Sequence, residues 1–148
     1  PAVRPKQLHN RANCHNRWRG IALIRIHHIG YVVRDIEKFQ SSLPGLTFVN
    51  AVEDPLQNAR LALYTVGDGS RIELIQPHDS SAFTWAHLDR VGEGMHHICY
   101  EGVAAADIDT LLQQHRLMKI RGPMKAVLFD RDVVFAITRQ RAIVEFLL

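Results

Sequence analysis

Apolar and polar positions along the first half of the chain predict four strands and one helix. Segments dense in β-branched and aromatic residues predict strands over 23–33, 47–52, 59–66 and 71–76. After the first of these, Ile36, Phe39 and Leu43 are spaced as on one face of a helix. Asp35 stands at the N-cap position of that helix, and Pro44-Gly45 ends it. The predicted order is β-α-β-β-β.

The same order of elements begins again in the second half of the chain. The hydrophobic pattern predicts strands over 95–100, 119–121, 126–129, 133–138 and 142–148. Segment 107–116 predicts a helix whose apolar face carries Ile108, Leu111 and Leu112. A short linker helix between the two halves is predicted to begin with Ser80-Ser81 as its cap.

These elements predict an α+β domain over residues 21–148, built from two tandem β-α-β-β-β modules. Module one spans 21–78, the linker helix 79–92 and module two 93–148. The chain of 148 residues is long enough to bury a substantial core. With 47% hydrophobic and 22% charged residues, its composition is that of a globular protein and not of a disordered one.

The net charge of +3 belongs to the first residues of the chain. Five basic residues and no acidic ones stand in segment 1–20, namely Arg4, Lys6, Arg11, Arg17 and Arg19. The rest of the chain contains 13 basic and 15 acidic residues, so its net charge is slightly negative. We predict a basic, poorly ordered extension over 1–20. A solvated extension is preferred to an arm that binds RNA or a protein partner, and nucleic-acid binding is not expected.

Cysteine usage and hydropathy favour a cytoplasmic location. Cys14 and Cys99 are the two cysteines, and their spacing matches no metal or redox motif. The longest apolar runs, such as 133–137, are far too short to span a bilayer. The first residues also lack the apolar segment of a secretory signal. We therefore expect neither secretion nor a membrane partner.

A short motif with two adjacent histidines occurs once in each module. It reads His-His-Ile-Gly at 27–30 and His-His-Ile-Cys at 96–99. Each copy is followed at nearly the same distance by a glutamate in an apolar strand, Glu73 in module one and Glu145 in module two. Two histidines and two carboxylates at repeat-related positions are typical ligands of a divalent metal ion.

Strand parity predicts which side of the sheet each of these residues faces. Alternate residues of a strand point to opposite faces. Each module therefore presents one histidine and one glutamate on the face away from its helix. The four predicted metal ligands are His28, Glu73, His97 and Glu145. The other histidine of each motif, His27 or His96, is expected on the helix side, where one of them could support a ligand. The donor set suits Co, Ni, Zn, Fe or Mn.

From residue 25 onward the chain resembles the vicinal oxygen chelate superfamily, which includes glyoxalase I, bleomycin-binding proteins and extradiol dioxygenases. The local similarity is greatest to methylmalonyl-CoA epimerases, through the segments 28–33, 67–74 and 92–98. The resemblance implies that the modules form a cupped, barrel-like mixed sheet. It also implies that His28, Glu73, His97 and Glu145 bind one divalent metal. An exposed sheet edge additionally predicts a homodimer, with each site within one chain or swapped between two.

The family's chemistry, carried over to these positions, is a metal-dependent proton transfer through an enolate. It implies an isomerase, epimerase or lyase that acts on a small carbonyl compound or an acyl thioester. Leu61, or a neighbour within Arg60 to Ala62, stands where epimerases have a non-ligand glutamate as a base, and none of these residues is acidic. The resemblance to glyoxalase I therefore assigns the base to a ligand, Glu145 or Glu73. The alternative is a protein of the same fold that binds and sequesters small molecules, such as drugs, without catalysis.

Overall fold

Two β-α-β-β-β modules and a linker make up residues 23–148, the part of the chain that the computed structural model describes. The predicted extension over 1–20 lies outside the described residues. The strands are β1 (Arg25–Val32), β2 (Thr47–Asp54), β3 (Ala59–Thr65), β4 (Arg71–Pro77), β5 (Gly94–Glu101), β6 (Met118–Ala126), β7 (Arg131–Ile137) and β8 (Ile143–Leu147). The helices are α1 (Ile36–Gln40), α2 (Trp85–Arg90) and α3 (Ile108–His115), and a 3-10 turn (Ala105–Asp107) precedes α3.

All eight strands belong to one mixed sheet in the order β2-β3-β4-β1-β5-β8-β7-β6. Within each module the first strand is parallel to the last, β1 to β4 and β5 to β8. The modules join through the antiparallel pair β1 and β5, which lies at the middle of the sheet. The sheet curls into a half-barrel. Its far strand β6 reaches back to module one, where Arg121 Nη2 donates to the Leu56 carbonyl oxygen at 2.6 Å.

The convex face of the sheet carries α1, α3 and two apolar cores. In module one, Ile36 of α1 packs against Tyr64 and Leu74 of the sheet. In module two, Leu111 and Leu112 of α3 belong to a second convex-side cluster. Two further apolar clusters line the concave face, one in each module. Helices α1 and α3 therefore lie on one face, and a second buried layer, which includes Leu88 of α2, lies on the other.

Helix α1 begins as predicted and helix α2 does not. The Asp35 carboxylate accepts a hydrogen bond from the Lys38 backbone N–H at 2.8 Å, which caps α1. Helix α2 begins at Trp85 with Thr84 at the N-cap position, so the prediction of a Ser80-Ser81 cap was wrong. The reason is a local turn, in which the Asp79 carboxylate accepts from the backbone N–H of Ser81.

The segment around Pro123 also differs from the prediction. Strand β6 is one nine-residue strand that passes through Gly122-Pro123, and a turn occupies 127–130 where a strand was predicted. Proline is tolerated there because β6 is an edge strand. The turn was mistaken for a strand because it is apolar. Leu128 and Phe129 pack against the concave core of module one instead of extending the ladder.

Candidate metal centre

Strand register brings the four predicted ligands to the junction of the two modules. On the concave face, Gly30 of β1 pairs with Glu73 of β4 on one side and with His97 of β5 on the other. One step along the sheet, the paired residues run from β1 through β5 to β8 as His28, Cys99 and Glu145. All four ligand candidates come from one chain, two from each module.

The donor atoms of these side chains point at a common centre. The Nε2 atoms of His28 and His97 are 3.2 Å apart. The Glu145 Oε2 atom lies 3.2 Å from each of these two nitrogens. The Glu73 Oε2 atom lies 3.3 Å from Nε2 of His28 and 3.7 Å from Nε2 of His97. Donors that bind one ion at about 2.1 Å are separated by about 3.0 to 3.4 Å, so the spacing fits a shared cation.

The burial of the four side chains supports the same conclusion. None of them is more than 5% exposed. Two carboxylates in an apolar enclosure are unfavourable unless their charge is compensated, and a divalent cation balances both of them. The Glu145 Oε2 atom makes no hydrogen bond within the described part of the chain, although two imidazole nitrogens are close to it. This buried oxygen is therefore available to bind a cation.

The electrostatic environment couples His28 to the two glutamates. Burial by itself lowers the pKa of His28, but the Glu73 charge and the polar contacts with Cys99 and Glu145 outweigh burial and raise the pKa well above its ordinary value. Burial raises the pKa of Glu145, and the imidazoles of His28 and His97 more than reverse this, so its pKa is lowered. Without a metal ion, a proton on His28 takes part of the cation's place.

The two remaining histidines of the motifs lie on the concave side and not against α1 or α3, so that prediction was wrong. The ring of His96 contacts His87 of the linker helix α2, with ring centroids 5.0 Å apart. A bulge in β1 at His27 and another in β5 at His96 interrupt the alternation of side chains. The Nδ1 atom of His27 lies 2.9 Å from Nδ1 of His28, and Nδ1 of His96 lies 3.0 Å from Nδ1 of His97. Burial lowers the pKa of His27 to about 4 and that of His96 to about 3, so both rings are uncharged at neutral pH.

Gly30 and Cys99 occupy equivalent positions of the repeat and lie beside the ligands. A β-carbon at Gly30 would overlap the imidazole ring of His97, so the close approach of that ring requires glycine. Cys99 is fully buried, and its thiol lies within 4.8 Å of ring nitrogens of His27 and His28. Burial and the nearby Glu145 carboxylate raise the pKa of the thiol to about 12, so it remains protonated.

Aromatic side chains enclose the centre. Phe129, from the turn between β6 and β7, stacks on His28 with ring centroids 5.1 Å apart. Phe135 of β7 meets His97 edge to face at 5.6 Å. Leu61 is buried in the concave core, so no acid occupies its position. A separate cavity of about 540 Å³ lies on the convex face between α3 and the sheet and does not reach the centre.

Two features of this site were not found from the sequence. The bulges at His27 and His96 depend on how β1 and β5 pair, and the doubled histidines were their only sequence signal. The contact of Phe129 with His28 joins residues that are 101 positions apart in the chain. Nothing in the local pattern around Phe129 indicates which histidine it covers.

The family is shown by a comparison with known protein families. The model of the Glyoxalase/Bleomycin resistance protein/Dioxygenase superfamily matches residues 27–135, and the chain belongs to this superfamily. Among curated proteins, it is similar to the uncharacterized protein YqjC of Bacillus subtilis strain 168, with 28% identity over 79 residues. That match covers 51% of this chain and 56% of the relative, so the chain spans about half the length of YqjC.

Solved structures of the same fold include proteins of known and unknown function. The hypothetical protein BH1468 of Bacillus halodurans C-125 is 22% identical, with a TM-score of 0.74 over 84% of this chain and 93% of that one. The methylmalonyl-CoA epimerase of Mycobacterium tuberculosis is 19% identical, with a TM-score of 0.72 over 82% and 85%. The epimerase of Streptomyces coelicolor with 2-nitronate-propionyl-CoA is 19% identical, with a TM-score of 0.70 over 83% and 95%. These similarities confirm the predicted fold.

A helix that crosses a bilayer must be both long and apolar. Within residues 23–148, no helix combines the length and the hydropathy that a transmembrane span needs.

Proposed function

We propose that this protein is a metal-dependent enzyme that moves a proton on a carbon next to a carbonyl group, as an epimerase, an isomerase or a lyase. One observation carries the proposal. Two imidazole nitrogens lie 3.2 Å apart in a buried centre, and each of them lies 3.2 to 3.7 Å from a carboxylate oxygen of Glu73 and of Glu145. In this proposal His28, Glu73, His97 and Glu145 hold one divalent cation, which can be Co, Ni, Zn, Fe or Mn.

The bound ion supplies a Lewis acid that stabilises negative charge on the substrate's oxygen atoms. The remaining steps belong to the side chains. Glu73 or Glu145 removes the proton from the carbon next to the carbonyl, which leaves an enolate, and then returns it to the same or a neighbouring carbon. Among the described residues, the other buried carboxylate is Asp54, which accepts hydrogen bonds from Leu56 and Gln57 in its own turn. Asp54 is therefore not the base.

The proposed substrate is a small carbonyl compound or an acyl thioester. The methylmalonyl-CoA epimerases of the same fold favour the thioester, because one of them was solved in complex with methylmalonyl-CoA. The apolar walls formed by Phe129 and Phe135 suit a short acyl chain and exclude water from the enolate. In this proposal the substrate enters beside the turn 127–130, whose Phe129 covers His28.

The test is metal-dependent exchange of a carbon-bound proton. Purified protein is first analysed for metal after growth with Co, Ni or Zn, and one ion per chain is expected. The loaded protein is then incubated in D₂O with methylmalonyl-CoA or hydroxyacetone, and deuterium incorporation is followed by mass spectrometry. Deuterium uptake that requires metal supports the proposal.

Two outcomes would contradict the proposal in different ways. Protein without metal after growth in all three ions would favour sequestration of a small molecule, the alternative class of this fold. If the protein binds one ion per chain but exchanges no proton with any thioester or hydroxyketone, the metal centre would be supported and the proposed proton transfer would be wrong.

We also propose a homodimer in the cytoplasm. The two edge strands expose large apolar side chains, with Phe48 of β2 60% exposed and Met118 of β6 64% exposed. Exposed apolar edges favour association with a second copy. Light scattering coupled to size exclusion tests the dimer, and a monomer at all concentrations would contradict it.

A further inference from the structure

We propose that His27 and His96 are positioning residues that hold the imidazoles of His28 and His97 with their Nε2 atoms directed at the metal centre. The inference deepens the proposed function and rests on it, because it concerns how the same centre is kept ready for its ion. It assigns a role to the two histidines of the motifs that are not among the four ligand candidates.

The bulges place the two supporting rings symmetrically. In β1, Ile26 pairs with Tyr100 and His28 pairs with Cys99, so His27 is the extra residue of that strand. The second irregularity, in β5, has His96 as its extra residue in the same way. A bulge turns two successive side chains toward one side of the sheet, and bulges are common beside active sites. Both supporting rings are therefore brought next to the ligand that follows them in sequence.

The distances between ring nitrogens of neighbouring histidines indicate which nitrogen of each ring carries the proton. An imidazole that binds a metal ion through Nε2 carries its proton on Nδ1. The Nδ1 atoms of His28 and His97 face the Nδ1 atoms of His27 and His96 at 2.9 and 3.0 Å. A hydrogen bond between two nitrogens needs one donor and one acceptor. His27 and His96 therefore accept on Nδ1 and carry their own proton on Nε2.

This hydrogen bond selects the tautomer in which His28 and His97 can bind the ion. It fixes the proton of the ligand ring on the side away from the centre and leaves the Nε2 lone pair free for the ion. It also fixes ring orientation, because rotation of either ligand ring would break the bond. Carboxylates and backbone carbonyls are the usual partners of a metal-binding histidine, and here two further imidazoles take that part.

The test compares substitutions that keep or remove the accepting atom. His27→Asn and His96→Asn keep an acceptor, because Oδ1 of asparagine and Nδ1 of histidine are the same number of bonds from Cα. His27→Leu and His96→Leu remove it. Both replacements remove the ring, so the difference between them isolates the hydrogen bond. His78→Leu is the matched control, since His78 pairs with Glu53 at the surface.

The first measurement is the affinity of the protein for Co²⁺ or Zn²⁺, obtained by competition with a chelator. Each leucine variant is expected to lose about 10- to 100-fold in affinity, and the asparagine variants to stay within about threefold of the wild type. The visible absorption of bound Co²⁺ should change in the leucine variants and be restored by asparagine. Leucine variants with wild-type affinity, or asparagine variants as weak as leucine ones, would overturn the inference.

The second measurement separates this inference from the proposed function. In metal-free protein labelled with ¹⁵N-histidine, long-range NMR spectra report which ring nitrogen carries the proton. His27 and His96 are expected to be protonated on Nε2 and bare on Nδ1. A proton on Nδ1 of either ring would overturn the inference even if metal binds. If the wild type binds neither ion, the metal-dependent function fails, and the tautomers then decide the hydrogen-bond pattern by themselves.

Discussion

The two modules contribute the same ligands but provide unequal space for them, and the difference is greatest at positions 30 and 99. At Gly30 of module one, the ring of His97 occupies the volume where a side chain would be. At Cys99 of module two, a buried thiol lies beside His28. The repeated motif therefore has the same candidate ligands in both modules but different residues at the neighbouring position. The comparison shows that equivalent ligands do not make equivalent half-sites.

The modules also differ in how their histidines are covered. The ring of His28 is stacked by Phe129 with an interplanar angle of 27°. The ring of His97 meets Phe135 nearly at right angles, at 85°. Phe129 belongs to a turn, whereas Phe135 belongs to a strand in the middle of a ladder. The cover of His28 therefore comes from a turn, and that of His97 from a paired strand.

The largest expected effect distinguishes the two carboxylates. In Glu73→Gln and Glu145→Gln, the variant that lacks the base should lose about 10²- to 10⁴-fold in proton exchange at saturating metal. The other variant should show mainly weaker metal binding. Deuterium incorporation at several metal concentrations measures both quantities, with Glu53→Gln at the surface as the control. Exchange above a tenth of the wild-type rate in both variants would show that neither glutamate is the base.

The next effect tests the unequal space at positions 30 and 99. Gly30→Ala is expected to displace the His97 ring and to lower the free energy of unfolding by about 1 to 3 kcal/mol. Metal affinity should fall with it, because the displaced ring is a ligand. Cys99→Ala removes atoms without overlap and should cost about 1 kcal/mol while it preserves affinity. Urea unfolding measures the stability of both variants, and cobalt titration measures their metal affinity. Equal metal affinities in Gly30→Ala and Cys99→Ala would contradict the prediction that only Gly30 makes room for a ligand.

A third prediction concerns the effect of pH on the metal-free protein. The pKa of His28 is raised, so the stability that its proton provides is lost as the pH rises above 6.5 through the folded-state value. The pKa values of His27 and His96 are lowered, to about 4 and about 3, so stability falls as the pH drops below 6.5. The metal-free protein should therefore be most stable near pH 6.5.

With metal bound, the protein should no longer lose stability as the pH rises above 6.5, because the ion replaces the proton of His28. At zinc concentrations of 100 times the dissociation constant, the stability gain is about 2.7 kcal/mol. Urea unfolding from pH 5 to pH 9, with a chelator or with zinc, gives both curves. A metal-free protein whose stability does not decline above pH 6.5 would argue against a proton shared between His28 and the glutamates.

The smallest expected effect is kinetic and concerns the cover over His28. Phe129→Ala should speed the removal of bound metal by a chelator several-fold, because the turn then covers the centre less well. Phe83→Ala, which removes a ring that contacts Phe135 and His96, should change this rate less. Stopped-flow measurement of cobalt loss compares the two. Equal rates would show that the turn 127–130 is not the route to the centre.

Local sequence predicted most of the secondary structure because its causes are local. Strand alternation and the Asp35 cap depend on neighbouring residues, and both are seen in the structure. The segment 126–129 was mistaken for a strand, because an apolar turn that packs against another module has the composition of a buried strand. An apolar residue type indicates that a side chain is buried, but it does not indicate which part of the chain packs against it.

The sequence by itself determined the duplication, the identity of the four candidate ligands and the side of each strand they face. These follow from a repeat with its histidines and glutamates at fixed positions in alternating strands. Only the tertiary structure decided that β1 pairs with β5 inside one chain and that both strands bulge there. Pairing register is set by contacts between residues far apart in sequence, so the support of His28 and His97 by His27 and His96 appears only when the modules meet.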